Sequence, residues 1–96
     1  MRVWLDDMRP MPDGYDVWVM NAESCVEILW TGKVEHISLD HDLGNKLDGM
    51  HVARWMAEFP LAWGTWSCHS MNPVGKERIV NTLPADRRRP VVNDKA

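Results

Sequence analysis

Carboxylate and histidine side chains occur in three short segments of the chain, residues 5–10, 38–44 and 69–75, and each segment directly follows an apolar run. In open α/β sheets, ligands bind in the crevice beyond the carboxyl ends of the strands, where residues distant in sequence converge. We therefore expect the three segments to form one site.

Four aspartates in the first two segments are candidate ligands for a cation: Asp6, Asp7, Asp40 and Asp42. Carboxylates this close repel one another unless they are protonated or bridged by a cation. Mg²⁺ prefers oxygen ligands, usually takes one or two carboxylates, and fills its other positions with water and substrate phosphate. The pattern therefore predicts a site for Mg²⁺ or Mn²⁺. For any one of these aspartates taken alone, a solvated turn or a helix cap is an equally good interpretation.

Two histidines are candidates for proton transfer, His41 in the second segment and His69 at the start of the third. Histidine exchanges a proton near neutral pH, and hydrolysis of a phosphodiester needs an activated water and a protonated leaving oxygen. His69 is the stronger candidate, because Ser70, Asn72 and a helix N-terminus that attracts anions follow it. Strand alternation points His41 away from its aspartate neighbours unless the chain bends there.

Three further polar residues are candidates for substrate binding. Arg9, near the acidic pair, could clamp a phosphate oxygen, and a surface arginine paired with an aspartate is the alternative. Ser70 and Asn72 could donate hydrogen bonds to substrate, although capping of the last helix explains Asn72 equally well. His36 and His51 are expected to be structural or exposed, since one belongs to a predicted strand and the other to the first turn of a predicted helix.

Alternating strands and helices position these segments. Apolar, β-branched and aromatic runs predict strands over residues 2–5, 16–20, 36–39 and 64–68, with a last short strand over residues 90–92. Asn21 and Asn72 are predicted N-caps of the first and third helices, and the second helix is predicted to start near Asp48. The three helices are predicted to end near Gly32, Pro60 and Leu83. The connection between the first two strands is short and rich in proline and turn residues, so the second strand is expected to pair loosely.

This order of elements predicts a single α/β domain over residues 1–96, a three-layer sandwich around a mostly parallel sheet of four or five strands. Right-handed crossovers predict helices on both faces of the sheet. Most of the six tryptophans are expected in the core. A short basic segment begins at about residue 84, and its run Arg87, Arg88 and Arg89 is expected to be solvated, with contacts to RNA phosphates as the alternative.

Composition excludes several classes of protein. A net charge of -3 argues against a surface built broadly for nucleic acid. No apolar stretch approaches the roughly eighteen residues of a membrane helix. Cys25 and Cys68 have no CxxC or zinc-ligand spacing, which is typical of reduced thiols. We expect a cytoplasmic protein without a membrane partner.

The three segments, LDDMRP, SLDHDLG and HSMNPVG, resemble the signature of the cyclic-phosphate processing receiver-like domains, an offshoot of the response-regulator receiver fold. The resemblance spans residues 2 to about 80 and implies a small receiver-like, flavodoxin-like fold. It also implies action on cyclic phosphate ends, such as those left on damaged RNA.

Compared with an ordinary signalling receiver, Asp6 and Asp7 match the metal-binding acidic pair, and Asp40 lies where the phosphoacceptor aspartate would be. The lysine that ordinary receivers carry after the last strand has no secure counterpart, and no helix is predicted between the first two strands. These departures argue against a phosphorelay role, whereas His41 and His69 favour a phosphoesterase.

We therefore expect a metal-dependent phosphoesterase of 2′,3′-cyclic phosphate RNA ends or cyclic nucleotides. Asp6, Asp7 and Asp40 would hold the metal, and His69 and His41 would move protons. Attack of Asp40 itself on phosphorus is a less favoured variant. The competing class is a non-catalytic receiver-like binding module, such as a phage or mobile-element product that sequesters a cyclic nucleotide or inhibits a host protein. The partner would be a phosphate-containing small molecule or an RNA terminus.

Overall fold

Residues 1–91 are described by a computed structural model with four strands and three helices. The elements follow in the order β1 (Arg2–Leu5), β2 (Val17–Val19), α1 (Ala22–Leu29), β3 (Val34–Leu39), α2 (Gly49–Glu58), β4 (Trp63–Cys68), α3 (Pro73–Thr82) and a 3₁₀ turn at Ala85–Arg87. All three predicted helices and the first four predicted strands are present. Strand ends differ from the prediction by at most two residues.

The four strands form one parallel sheet in the order β2-β1-β3-β4. Contrary to the expectation of loose pairing, β2 pairs with β1 along its whole length, from Val3 opposite Val17 to Leu5 opposite Val19. The connecting loop returns to the start of β1 without a helix, and the indole of Trp18 donates a 2.8 Å hydrogen bond to the carbonyl of Asp6. A loop crossover is therefore sufficient to align this parallel pair.

The predicted strand over residues 90–92 is not formed at Pro90 and Val91, and Val92 lies outside the described residues. Arg88 instead makes a single parallel bridge with Trp66 beside β4. Proline at the second following position has no N–H for a ladder, which ends the pairing there.

Each helix begins at a side-chain cap. Asn21, Asp48 and Asn72 accept backbone N–H groups from the first turns of α1, α2 and α3. Caps of this kind stabilise a helix by about 1 kcal/mol each. Each helix follows a strand of the parallel sheet, so the three caps lie toward the carboxyl edge of the sheet.

One face of the sheet carries the apolar core, in which Val3, Leu5, Ile37 and Leu39 are fully buried together with residues from all three helices. The connections through α1 and α2 both run toward β4, so right-handed crossovers place both helices on this face. Helix α3 packs against α2.

The other face is covered by the loop between β1 and β2. The indole of Trp4 donates to the carbonyl of Arg9 at 2.9 Å, the side chain of Arg2 donates to the carbonyl of Gly14 at 2.8 Å, and Tyr15 packs edge-on against Trp4. The predicted α/β fold around a parallel sheet is confirmed. On this face, however, a loop forms the third layer in place of a helix, because the first connection contains none.

Three of the six tryptophans, Trp4, Trp63 and Trp66, are buried, fewer than expected. Trp30 is 65% exposed and contacts Trp55 and Phe59 on the outer side of α1 and α2. Within residues 1–91, no helix has the length and apolar character needed to cross a membrane.

Candidate functional site

The three polar segments meet at one edge of the sheet. Strands β1, β3 and β4 lie in adjacent register, and Asp6, Asp40 and His69 follow their carboxyl ends. One potential ligand atom from each of these three residues lies within 4.8 Å of the others. Parallel pairing thus brings residues from opposite ends of the chain into one cluster.

Asp6 is the most firmly held carboxylate of the cluster. It is buried, and its Oδ1 accepts the backbone N–H groups of Met8 at 2.8 Å and Arg9 at 2.7 Å. Its Oδ2 lies 2.9 Å from Nε2 of His69. Its orientation is therefore fixed by the turn that follows β1 and by one imidazole.

The ring of His69 is held in a buried position behind Asp6. Its Nδ1 lies 2.8 Å from the hydroxyl of Ser38, and the ring stacks on Trp4 with centroids 3.7 Å apart and planes inclined by 8°. Its side chain is not part of the cleft wall. His69 therefore reaches the cleft through the carboxylate of Asp6.

Asp40 is the second carboxylate of the cluster and is half-buried. Its Oδ1 accepts the backbone N–H of His41 at 2.9 Å. Burial raises the pKa of Asp40 above the usual 3.8, and the charge of Asp6 raises it further, against the opposing effects of hydrogen bonds from His41 and Ser70 and the charge of Arg9. A cation near both carboxylates would offset this cost.

An open cleft lies over the cluster, between the loops that follow β1 and β3 and the N-terminus of α3. Its lining residues are Asp6, Asp7, Met8, Arg9, Pro10, Asp40, Asp42, Gly44, Met71 and Asn72. Gly44 has a positive φ of 71°, and a Cβ added there would lie 2.8 Å from the carboxylate of Asp7. Glycine at this position therefore lets the loop after β3 close against Asp7.

His41 and Asp42 form a second aspartate and histidine pair on the rim of the cleft. Nδ1 of His41 lies 2.8 Å from the exposed carboxylate of Asp42, and its Nε2 lies 3.4 Å from that of Asp48. The hydrogen bond with His41 lowers the pKa of Asp42. The His41 ring packs against Gly75, where any Cβ would clash with it, so it faces α3 rather than the cleft.

The three candidate substrate-binding residues differ in their surroundings. Arg9 is exposed on the cleft wall, where its guanidinium donates to the carbonyl of His69 at 3.3 Å. Ser70 is buried and hydrogen-bonds Asp40, while its hydroxyl accepts the N–H of Asn72 at 3.1 Å. Asn72 caps α3 and also donates to Asp42 at 3.3 Å. Arg9 thus has the freest side chain of the three for a ligand.

Sequence reasoning missed a buried series of polar side chains behind the cluster. Ser67 donates to Ser38 at 2.8 Å, Ser38 contacts His69, and Ser67 also lies 3.3 Å from Nε2 of His36, which contacts Tyr15 at the same distance. The sequence pattern that indicates this series is the alternation of polar and core residues along β3 and β4. The loop-covered face therefore connects to the acidic cluster through hydrogen bonds.

The buried His36 should make stability depend on pH. Burial, followed by the charges of Arg2 and Arg89, lowers its pKa from 6.5 to about 4. Between these two pH values the unfolded chain binds a proton on His36 and the folded protein does not. The stabilisation of the fold by neutral His36 is therefore complete above pH 6.5 and is lost as the pH falls to about 4. This loss is worth roughly 3 kcal/mol of unfolding free energy.

Denaturant unfolding at a series of pH values measures this loss in the wild type and in His36→Gln. The variant should lose less unfolding free energy between pH 6.5 and 4, whereas His51→Gln, altered on α2, should follow the wild type. Identical losses in the wild type and His36→Gln would contradict the assignment.

The family described as the cyclic-phosphate processing receiver domain matches residues 1–85 of this chain. No curated protein and no solved structure matches this chain.

Proposed function

This chain belongs to the cyclic-phosphate processing receiver domain family, and we propose that it is a metal-dependent phosphoesterase of cyclic phosphates. Its substrates are 2′,3′-cyclic phosphate ends of RNA or cyclic nucleotides. The observation that carries the proposal is the convergence of Asp6, Asp40 and His69 beneath a cleft whose wall also presents Asp7 and Arg9.

The donor atoms of the cluster fit Mg²⁺ or Mn²⁺. Asp6 and Asp40 present oxygen atoms close together, and Asp7 adds a third carboxylate on the cleft wall. Burial, followed by the charge of Asp6, raises the pKa of Asp40, and a bound cation would favour its ionised form. Asp42 adds negative charge to the same cleft. When bound, the metal supplies positive charge that polarises the phosphoryl oxygens and offsets the charge developed during hydrolysis.

Arg9, in the loop that follows β1, and Asn72, at the N-terminus of α3, are proposed to orient the substrate in the cleft. The guanidinium of Arg9 can form a bidentate pair with two oxygens of a phosphate. Ser70 is proposed to hold the carboxylate of Asp40 in position, since its hydroxyl hydrogen-bonds that carboxylate. The cyclic phosphodiester then adds water and breaks one P–O bond, which leaves a phosphomonoester and a free hydroxyl.

His69 is proposed to orient Asp6 and to exchange a proton through it. Ser67 donates to Ser38, so the hydroxyl of Ser38 is left to donate to Nδ1 of His69. In that order of donors, Nε2–H of His69 points at Asp6. His41 pairs with Asp42 at the rim through its Nδ1. One pair is proposed to take a proton from the attacking water and the other to give a proton to the leaving oxygen.

A non-catalytic binding module is the second candidate, and one observation favours it. Neither His41 nor His69 is part of the cleft wall, so within residues 1–91 the ionisable side chains that a bound phosphate would meet there are four aspartates and Arg9. Such a cleft could hold a metal and a phosphate without turnover.

Release of phosphomonoester tests the proposal. The substrates are an RNA with a 2′,3′-cyclic phosphate end and a cyclic nucleotide, each assayed with Mg²⁺, with Mn²⁺ and with EDTA. We expect turnover that depends on the metal and disappears in EDTA. Absence of turnover from a folded protein that binds the metal would contradict the phosphoesterase and leave the binding module.

A further inference from the structure

A second concavity lies on the outer side of β4, between α3 and the segment that follows the 3₁₀ turn. It is lined by Cys68, Lys76, Ala85, Arg88, Arg89, Pro90 and Val91. Three of these seven residues carry a positive charge and none carries a negative one. We call it the basic pocket.

The cations of the basic pocket are not neutralised within the described part of the chain. Among residues 1–91, no carboxylate forms an ion pair with Lys76, Arg88 or Arg89. Arg88 packs over the ring of Trp66, and Arg89 donates to backbone carbonyls of the 3₁₀ turn and its end. Burial raises the pKa of the Cys68 thiol, which keeps that wall uncharged. The pocket therefore favours an anionic ligand.

The structure divides the arginine run of residues 87–89. Arg87 lies over the ring of Trp63, 4.4 Å from its centroid, and donates to the Trp63 carbonyl at 3.5 Å. It is absent from the wall of the basic pocket, whereas the next two arginines form part of it. The run therefore includes one packing residue and two residues available to a ligand.

The basic pocket adjoins the acidic cleft. Cys68 directly precedes His69 at the end of β4, and Lys76 lies one helical turn after Asn72, whose carbonyl accepts its N–H at 2.8 Å. Asn72 lines the cleft and Lys76 lines the pocket, separated by about 6 Å along the helix axis. One ligand with several phosphates can thus contact both.

We propose that the basic pocket binds a backbone phosphate of an RNA strand whose 3′-terminal cyclic phosphate occupies the acidic cleft. The inference rests on the proposed function and selects RNA ends over free cyclic nucleotides as substrates. A 2′,3′-cyclic phosphate is the last group of its strand, so every other phosphate lies on its 5′ side and only a polymer reaches the second pocket. Lysine and arginine bind phosphate oxygens through charge-assisted hydrogen bonds without reading sequence.

Binding without metal tests the pocket separately from turnover. A fluorescent short RNA with a 3′-phosphate is titrated in EDTA with the full chain, with Lys76→Gln/Arg89→Gln, and with Arg78→Gln as the matched control on the exposed side of α3. The double variant should raise Kd about tenfold and lower the slope of log Kd against log salt by about 0.7 for each phosphate that the protein no longer neutralises. The control should bind like the wild type.

Turnover measurements then distinguish RNA ends from free cyclic nucleotides as substrates. The double variant should lose kcat/KM on the RNA end and keep it on a 2′,3′-cyclic mononucleotide. Equal Kd values for the double variant and Arg78→Gln would overturn the inference. It would also be overturned if the double variant bound inorganic phosphate more weakly than the wild type but bound the RNA equally well. If the wild type hydrolyses neither substrate, the proposed function fails while the titration in EDTA still decides whether the pocket binds RNA.

Discussion

Asparagine in place of Asp40 is expected to abolish metal-dependent turnover and, in EDTA, to raise the melting temperature of the protein. The two effects have one cause. Burial and the nearby charge of Asp6 raise the pKa of Asp40, so its ionised form is costly in the fold without a cation. Asparagine removes that charge and keeps an oxygen that can accept the N–H of His41.

The sign of the pH dependence follows from the raised pKa. The folded protein holds a proton on Asp40 more tightly than the unfolded chain does, so this residue favours the fold at acidic pH. That contribution is lost as the pH rises from the ordinary value of 3.8 through the raised one. The gain in melting temperature of Asp40→Asn should therefore be small in acid and complete at neutral pH.

Thermal unfolding and turnover, each with Mg²⁺ and with EDTA, measure both effects. Turnover of Asp40→Asn should fall by about a hundredfold or more, and Mg²⁺ should raise the melting temperature of the wild type but not of the variant. Asp86→Asn, at an exposed aspartate of the 3₁₀ turn, should behave like the wild type in every condition. A variant that is less stable in EDTA, or that Mg²⁺ still stabilises, would contradict the role given to Asp40.

The parts of the fold that could be predicted from sequence are those with local causes. Asn21 and Asn72 begin helices because their side chains accept N–H groups three residues later, which spacing alone reveals. Proline at position 73 supports the start of α3 in the same way. The pairing of β2 could not be predicted, because its register depends on contacts such as that of Trp18 with Asp6, which form only across the sheet.

The site was predictable to the level of strand ends. Asp6, Asp40 and His69 follow strands that sequence patterns identify, and parallel sheets gather such positions at one edge. The direction of each side chain was harder to predict. Alternation along β4 puts His69 on the same face as Ser67, under the loop-covered side.

The outer contacts of the site depend on tertiary packing. Trp4 and Ser38 hold His69 only because β1 and β4 flank β3. Local sequence patterns do not predict this strand order. The burial of His69 therefore emerges only with the assembled sheet, and it changes how this residue can take part in chemistry.

Alanine in place of His69 is expected to weaken Mn²⁺ binding by about 10- to 100-fold and to remove turnover. The loss of Nε2–H frees the Asp6 carboxylate from its orienting partner. The substitution also leaves a space beside the ring of Trp4, which makes the protein less stable. Alanine alone therefore confounds orientation, packing and proton transfer.

Glutamine at position 69 separates these contributions. Its amide can donate to Asp6 from nearly the position of Nε2–H, so Mn²⁺ affinity should return to within a fewfold of the wild type. An amide cannot exchange a proton near neutral pH, so turnover should stay about a hundredfold down. Mn²⁺ titration and kcat measured on the same His69→Gln sample decide the matter. Ser38→Ala is a control that keeps the imidazole and removes its Nδ1 partner, together with the acceptor of the Ser67 hydroxyl. Recovery of both affinity and turnover in His69→Gln would mean that His69 only positions Asp6, and the proton would then have to pass through the pair of His41 and Asp42 at the rim of the cleft.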